Sequence, residues 1–151
     1  MYINTVTVIT NVTIGTIKRK QQIAFRRLVT GQAPSMEVRE YVGLGYLELK
    51  EWFNPKLLRE MNWNNYGKIW IISHLVPLSC FDLFKEADCK LAWNYKNLIP
   101  VFSEDIHRMQ DIRFSLKYLE RLEKCDIVDK LISIVSKYIK EQDKYIEYNL
   151  V

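Results

Sequence analysis

Residues 61–83 read Met61-Asn62-Trp63-Asn64-Asn65-Tyr66-Gly67-Lys68-Ile69-Trp70-Ile71-Ile72-Ser73-His74-Leu75-Val76-Pro77-Leu78-Ser79-Cys80-Phe81-Asp82-Leu83. Two further words follow, Asn94-Tyr95-Lys96-Asn97-Leu98-Ile99-Pro100-Val101 and Ser103-Glu104-Asp105-Ile106-His107-Arg108. The polar run from Asn62 to the glycine at 67 reads as a loop. Ile69 to Ile72 is a short β-branched strand, because such side chains suit a pleated surface. Leu75 to Leu83 continues as loop, and Lys85 to Trp93 has the composition of a helical turn. The single histidine of this stretch therefore stands where a strand gives way to a loop.

Upstream, Tyr2 to Ile17 alternates threonine with valine and isoleucine, a period of two that predicts strand, with Asn11 or Gly15 available to turn it into a hairpin. Lys18 to Leu28 reads as a short basic helix with Ile23, Leu28 and Phe25 facing inward and Lys20, Arg26 and Arg27 facing water. Gly31 and Pro34 end it. Ser35 is a suitable N-cap for a helix through Tyr41. Gly43 and Gly45 bracket a turn, and Tyr46 to Phe53 is helical, with Leu47, Leu49 and Trp52 as its apolar positions. Asn54-Pro55 is a second start signal. Downstream, Ser103 is expected to open the last helical region, with Glu104 and Asp105 in its first turn. Ile112, Leu116, Leu119 and Leu122 recur at helical spacing, and Asp126 restarts a helix carrying Ile127, Leu131, Ile134, Val135 and Tyr138.

The chain has 151 residues, 48% hydrophobic and 26% charged, which is one globular domain with a real core rather than a disordered tail. Net charge is +4, compatible with an acidic partner without requiring one. Its distribution is more telling: between Met1 and Val29 the charged side chains are Lys18, Arg19, Lys20, Arg26 and Arg27, with no acid among them. Three cysteines, Cys80, Cys89 and Cys125, lack any C-x-x-C spacing, which disfavours a disulfide framework and a zinc ribbon. No apolar run approaches the roughly 18 residues needed to span a bilayer. The expectation is an intracellular protein of a reducing compartment, with no membrane partner.

The words quoted above resemble the HNH endonuclease family, in the form common in phages and large DNA viruses. Its run is roughly M-x-W-x-N-Y-G-x-x-W-H-I-D-H-I-x-P-L-S-x-F-D-L, then a tyrosine, N-L-x-P-L and a closing D-N. The likeness extends from about Glu37 to Asp111, and includes the Leu44-Gly45 lead-in and the Trp52-Phe53-Asn54-Pro55 segment. It implies an α+β fold, a ββα-metal core around Ile69 to Gln110. Residues 1–36 would add N-terminal strands and the basic helix, residues 37–111 the HNH-like region, and residues 112–151 a helical tail, all in one domain. The added strands extend the core or pair with another subunit.

In that family one divalent ion is held against the scissile phosphate while a histidine deprotonates water. The resemblance places His74 at the general-base position, through the Trp70-x-x-x-His74-x-x-Pro77 frame. It places Asn97 at the middle position that braces the histidine loop. Ser73 stands where the family has a metal-binding Asp, Ile71 where a further histidine is common, and Ile106 where the closing Asn or His is expected. A hydroxyl is a weak substitute for a carboxylate toward a hard cation, and an alkyl group is none. Asp105 and His107 are the nearest residues able to take over as metal ligands.

Two expectations follow. One is an HNH-like protein that has lost cleavage, binds no metal, and serves as a nucleic-acid-binding or assembly component of a virus or other large particle. It would contact DNA or RNA through Lys18, Arg19, Lys20, Arg26 and Arg27. The other is an active endonuclease using Mg2+, Mn2+ or Zn2+ through an altered ligand set. A blander reading accompanies both. His74 and Asn97 are then only hydrogen-bonded structural residues, and Trp52, Trp63, Trp70, Trp93 and Tyr66 are core rather than base-stacking platforms.

Overall fold

A computed structural model describes residues 13–106 and 112–149, and it is an α+β fold in which helices surround one small sheet. The first eleven residues of the expected strand pair, 2–12, lie outside the described residues. Its last five are helical in character: Thr13 is the N-cap of α1 (Ile14–Val29), its side chain accepting from the Thr16 amide at 3.2 Å. A threonine hydroxyl that satisfies a free helical N–H overrides the local strand pattern.

On α1 the buried side chains are Phe25, Leu28 and Val29. Ile23, expected inside, is half exposed at 51%. It precedes Phe25 by two positions, about 200° around a helix, and so cannot share its face. Leu47 is 70% exposed for the same reason, two positions from the buried Leu49. Ser35 caps α2 (Met36–Val42), accepting from the Val38 amide, and Gly43 ends it at φ 80°, a left-handed turn that a side chain resists. The helix α3 (Tyr46–Phe53) follows, its first turn steadied by the Glu48 carboxylate accepting from the Gly45 amide at 3.1 Å.

The strand β1 (Trp70–His74) pairs antiparallel with β2 (Leu98–Phe102), in a register that sets Trp70 opposite Phe102, Ser73 opposite Ile99 and His74 opposite Leu98. The helix α4 (Glu86–Ala92) fills the connection between them. After β2 the chain makes a 3-10 turn, Ser103–Asp105, and residues 107–111 lie outside the described residues. The Ser103 hydroxyl is buried without a partner, so it caps nothing. The described chain resumes with α5 (Ile112–Glu120) and ends with α6 (Asp126–Asn149).

The core runs through all these elements. Trp70, Trp93, Phe53, Leu75, Leu119 and Leu131 are each buried to within 1%. The Ser115 hydroxyl of α5 donates to the Leu75 carbonyl just past β1, which fastens the C-terminal helices to the histidine end of the sheet. Trp52, Trp63 and Tyr66 are half buried against this core. Trp52 is closed by Tyr95, edge-on at 4.7 Å, and by the Lys56 ammonium 3.5 Å from its ring centre, and Trp63 packs on Trp70 at 5.1 Å. These aromatic faces are used within the fold. Among the described residues no helix is long and apolar enough to cross a membrane.

Candidate functional site

His74 is the last residue of β1, and the loop after it is held from the opposite strand. The Leu75 amide donates to the Asn97 carbonyl at 2.8 Å. The Asn97 side chain is fully buried and fully paired: Oδ1 accepts from the Val76 amide at 2.8 Å, and Nδ2 donates to the Val76 carbonyl at 3.2 Å and the Ala92 carbonyl at 2.9 Å. One amide thus joins the histidine loop, the end of α4 and the start of β2. Asparagine suits the position because it presents an acceptor and two donors on one planar group.

Behind His74 stands Trp93, its ring edge-on at 4.5 Å and 80°. The indole Nε1 donates to the Gln21 carbonyl oxygen at 2.9 Å, and the Gln21 amide reaches the Cys89 sulfur at 3.3 Å. Phe25 packs on the other side of Trp93 at 5.2 Å. Through Gln21 and Phe25 the basic helix α1 is fastened to Trp93, beside the histidine end of the sheet. Neither Gln21 nor Trp93 stands out in sequence as a site residue, since each makes its contact about seventy positions away in the chain.

Two adjoining cavities open at this junction. One of about 300 Å3 is lined by residues that include Gln22, Arg26, Tyr66, Ser73 and His74. The other, of about 260 Å3, is lined by Lys18, Gln22, Ser73, His74, Pro77, Leu78 and Ile106. Gln22, Ser73 and His74 belong to both. Neither is lined by a carboxylate among the described residues.

The five expected cations separate here. Lys18 and Arg26 line the cavities; with Gln22 they follow a spacing of four, about 40° apart per step, and form one stripe along α1. Arg19, Lys20 and Arg27 are exposed but line neither cavity, and Lys20 and Arg27 lie on the far side of the helix. Ser73 and Ile106 are brought to His74. Asp105 is not: it borders a separate cavity with Arg59, Lys68 and Ser103. His107 lies outside the described residues.

The donor groups that the described residues bring to His74 do not by themselves fit a divalent ion. Among the described residues no group of three His, Cys, Asp or Glu side chains could hold a metal. An imidazole and a hydroxyl face an alkyl group, with an ammonium and a guanidinium nearby. Hard cations require several oxygen ligands, and zinc at least three protein groups. The three cysteines are free and distributed, Cys80 and Cys125 half buried and Cys89 buried.

The His74 ring keeps a little surface, but Nε2 is closed from solvent and has no hydrogen-bond partner. Burial, and secondarily the positive charge of Lys18, push the imidazole down from 6.5 to about 3. Between those two values the unfolded chain takes up a proton that the folded chain refuses. Stability is therefore whole above the unfolded value and falls as pH drops below it, by at most about 1.4 kcal/mol per pH unit. Thermal melts should show the wild type losing stability between about pH 7 and about pH 5 more steeply than a His74→Leu variant. Parallel slopes would contradict a buried neutral imidazole.

No family model matches the chain, and no solved structure matches it. The chain is similar to two proteins of Acanthamoeba polyphaga mimivirus. It is 30% identical to uncharacterized protein L426 over 67 residues, which are 44% of this chain and 30% of that protein. It is 29% identical to uncharacterized protein L246 over 63 residues, 42% of this chain and 28% of that one. The matched stretches thus cover well under half of either relative, and both relatives are viral proteins.

Proposed function

We propose that the chain is an HNH-like viral protein whose ββα-metal core, centred on β1 and β2, no longer grips a catalytic ion and instead binds nucleic acid. The observation that carries this reading is the set of groups around His74. A histidine at a strand end, with its loop clamped by a buried asparagine, is what the family resemblance calls for. The groups beside it are Ser73, Ile106, Lys18 and Arg26, where an ion would need carboxylates or further imidazoles. The histidine itself is also poorly suited to activate water at neutral pH. A general base works best when its pKa lies near the working pH, and this one lies near 3.

Plasmid incubated with the protein and Mn2+ is expected to stay supercoiled while its gel mobility is retarded. Nicking that disappears in a His74→Ala variant would overturn the reading and establish an active endonuclease, with His107 as the ligand to test next. Unretarded plasmid and RNA would remove the nucleic-acid part.

A gain-of-function variant tests the missing ligands directly. Ser73→Asp combined with Ile106→Asn adds two oxygen donors at the histidine, and calorimetry with Mn2+ should give saturable heat where the wild type gives none. Saturable heat from the wild type would contradict the ligand argument.

A further inference from the structure

We infer that the cleft between α1 and the histidine end of β1 is a metal-independent phosphate site, in which Lys18 and Arg26 supply the positive charge for a nucleic-acid backbone and Gln22 and Ser73 supply neutral hydrogen-bonding groups. The inference rests on the nucleic-acid reading above and specifies where and how that contact is made.

Four observations converge. The two cavities share Gln22, Ser73 and His74, so they adjoin one another beside β1. Lys18 opens onto one end and Arg26 onto the other, and neither recess is lined by an acid among the described residues. The Nε2 of His74 is a polar atom without a protein partner at the same place, one that a bound oxygen or a water would satisfy. Finally, α1 is fixed there. The Gln21–Trp93 hydrogen bond and the Phe25–Trp93 contact hold the helix in register over the sheet, so the Lys18, Gln22, Arg26 stripe does not depend on a loop for its position. Lys18 and Arg26 stand about 12 Å apart along the helix, a spacing that suits separate phosphates of one backbone rather than a single anion, and a guanidinium binds phosphate through paired donors.

The ligand is the phosphodiester backbone rather than a base. The groups offered are cations and hydrogen-bonding side chains, and the aromatic rings nearby are packed against one another. Such contacts carry little sequence preference and depend strongly on salt.

The test compares two charge-matched double variants by fluorescence anisotropy with a short labelled DNA duplex and the same sequence as RNA, in EDTA, over a salt series. Lys18→Gln with Arg26→Gln empties the recess of charge. Lys20→Gln with Arg27→Gln removes the same charge from the opposite side of α1. All four positions are exposed, and unchanged thermal melts establish that both proteins are folded. The first pair is expected to weaken binding by on the order of tenfold and to make the salt dependence shallower by about two phosphate contacts. The second pair should change affinity less than about threefold. Equal losses from the two pairs would overturn the recess as the site while leaving nucleic-acid binding intact. Wild-type binding that EDTA abolishes would overturn its metal independence. Failure of the wild type to bind either polymer would sink the nucleic-acid reading itself, and this inference with it.

Discussion

An Asn97→Ala variant is expected to lose about 4 kcal/mol of folding stability. The side chain is fully buried and makes three hydrogen bonds, to both backbone groups of Val76 and to the Ala92 carbonyl. Alanine would leave one N–H and two carbonyls unpaired in the interior, each costing about 1–3 kcal/mol, with a small cavity added. Asn97→Asp should rescue little. A carboxylate can accept from the Val76 amide but sets negative charge against two carbonyl oxygens. Urea unfolding followed by tryptophan fluorescence gives the number, and a loss below about 1 kcal/mol would mean that the loop after His74 is held by something else.

The second large effect is expected at Trp93. Trp93→Ala should cost about 3–5 kcal/mol as a cavity mutation. It should also act on two partners at once. Gln21 loses the indole N–H, and α1 loses the ring on which Phe25 packs. His74 loses the edge-on wall that helps keep it dry, so its imidazole should move back up toward its ordinary value. The acid-sensitive window described for the wild type should then narrow. NMR titration of the imidazole would read this directly. An unchanged titration, with a small loss of stability, would show that Trp93 is not what seats α1 against the histidine.

Local signals located most of the elements, because they are local physics. Ser35 caps α2 where a hydroxyl ahead of an apolar series predicts it, and Tyr46–Phe53 and the restart at Asp126 match their periodicity. Failures came where one residue pattern supports two structures. Thr13 to Ile17 continue a threonine–isoleucine run that reads as strand upstream, yet the Thr13 side chain caps a helix. Ile23 reads as inward-facing and Leu47 as one of the apolar positions of its helix, whereas two-residue spacing on a helix separates them from the buried Phe25 and Leu49. The β2 strand has no local signal, because Pro100 interrupts a strand pattern, and only the family resemblance implies a second strand there. Both strands of a two-stranded sheet are edges, the setting in which proline is tolerated.

The site was legible in its parts but not in its assembly. His74, Ser73, Asn97 and Ile106 were singled out by the family words, and the cations by their concentration near the N-terminus. What no local pattern reveals is that α1 lies across the end of β1. That depends on Gln21 reaching Trp93 and on Phe25 packing beside it, contacts between distant segments. The same placement divides five similar charges into Lys18 and Arg26, which face the recess, and Arg19, Lys20 and Arg27, which do not.

The proposed loss of ion binding with retention of nucleic-acid binding is tested most directly by measuring the affinity of the purified protein for a short labelled DNA duplex in EDTA, and again in excess Mn2+, while following the integrity of the duplex. The account predicts the same dissociation constant in both and an uncut duplex throughout. Affinity or strand cleavage that arises only when the ion is supplied would contradict it.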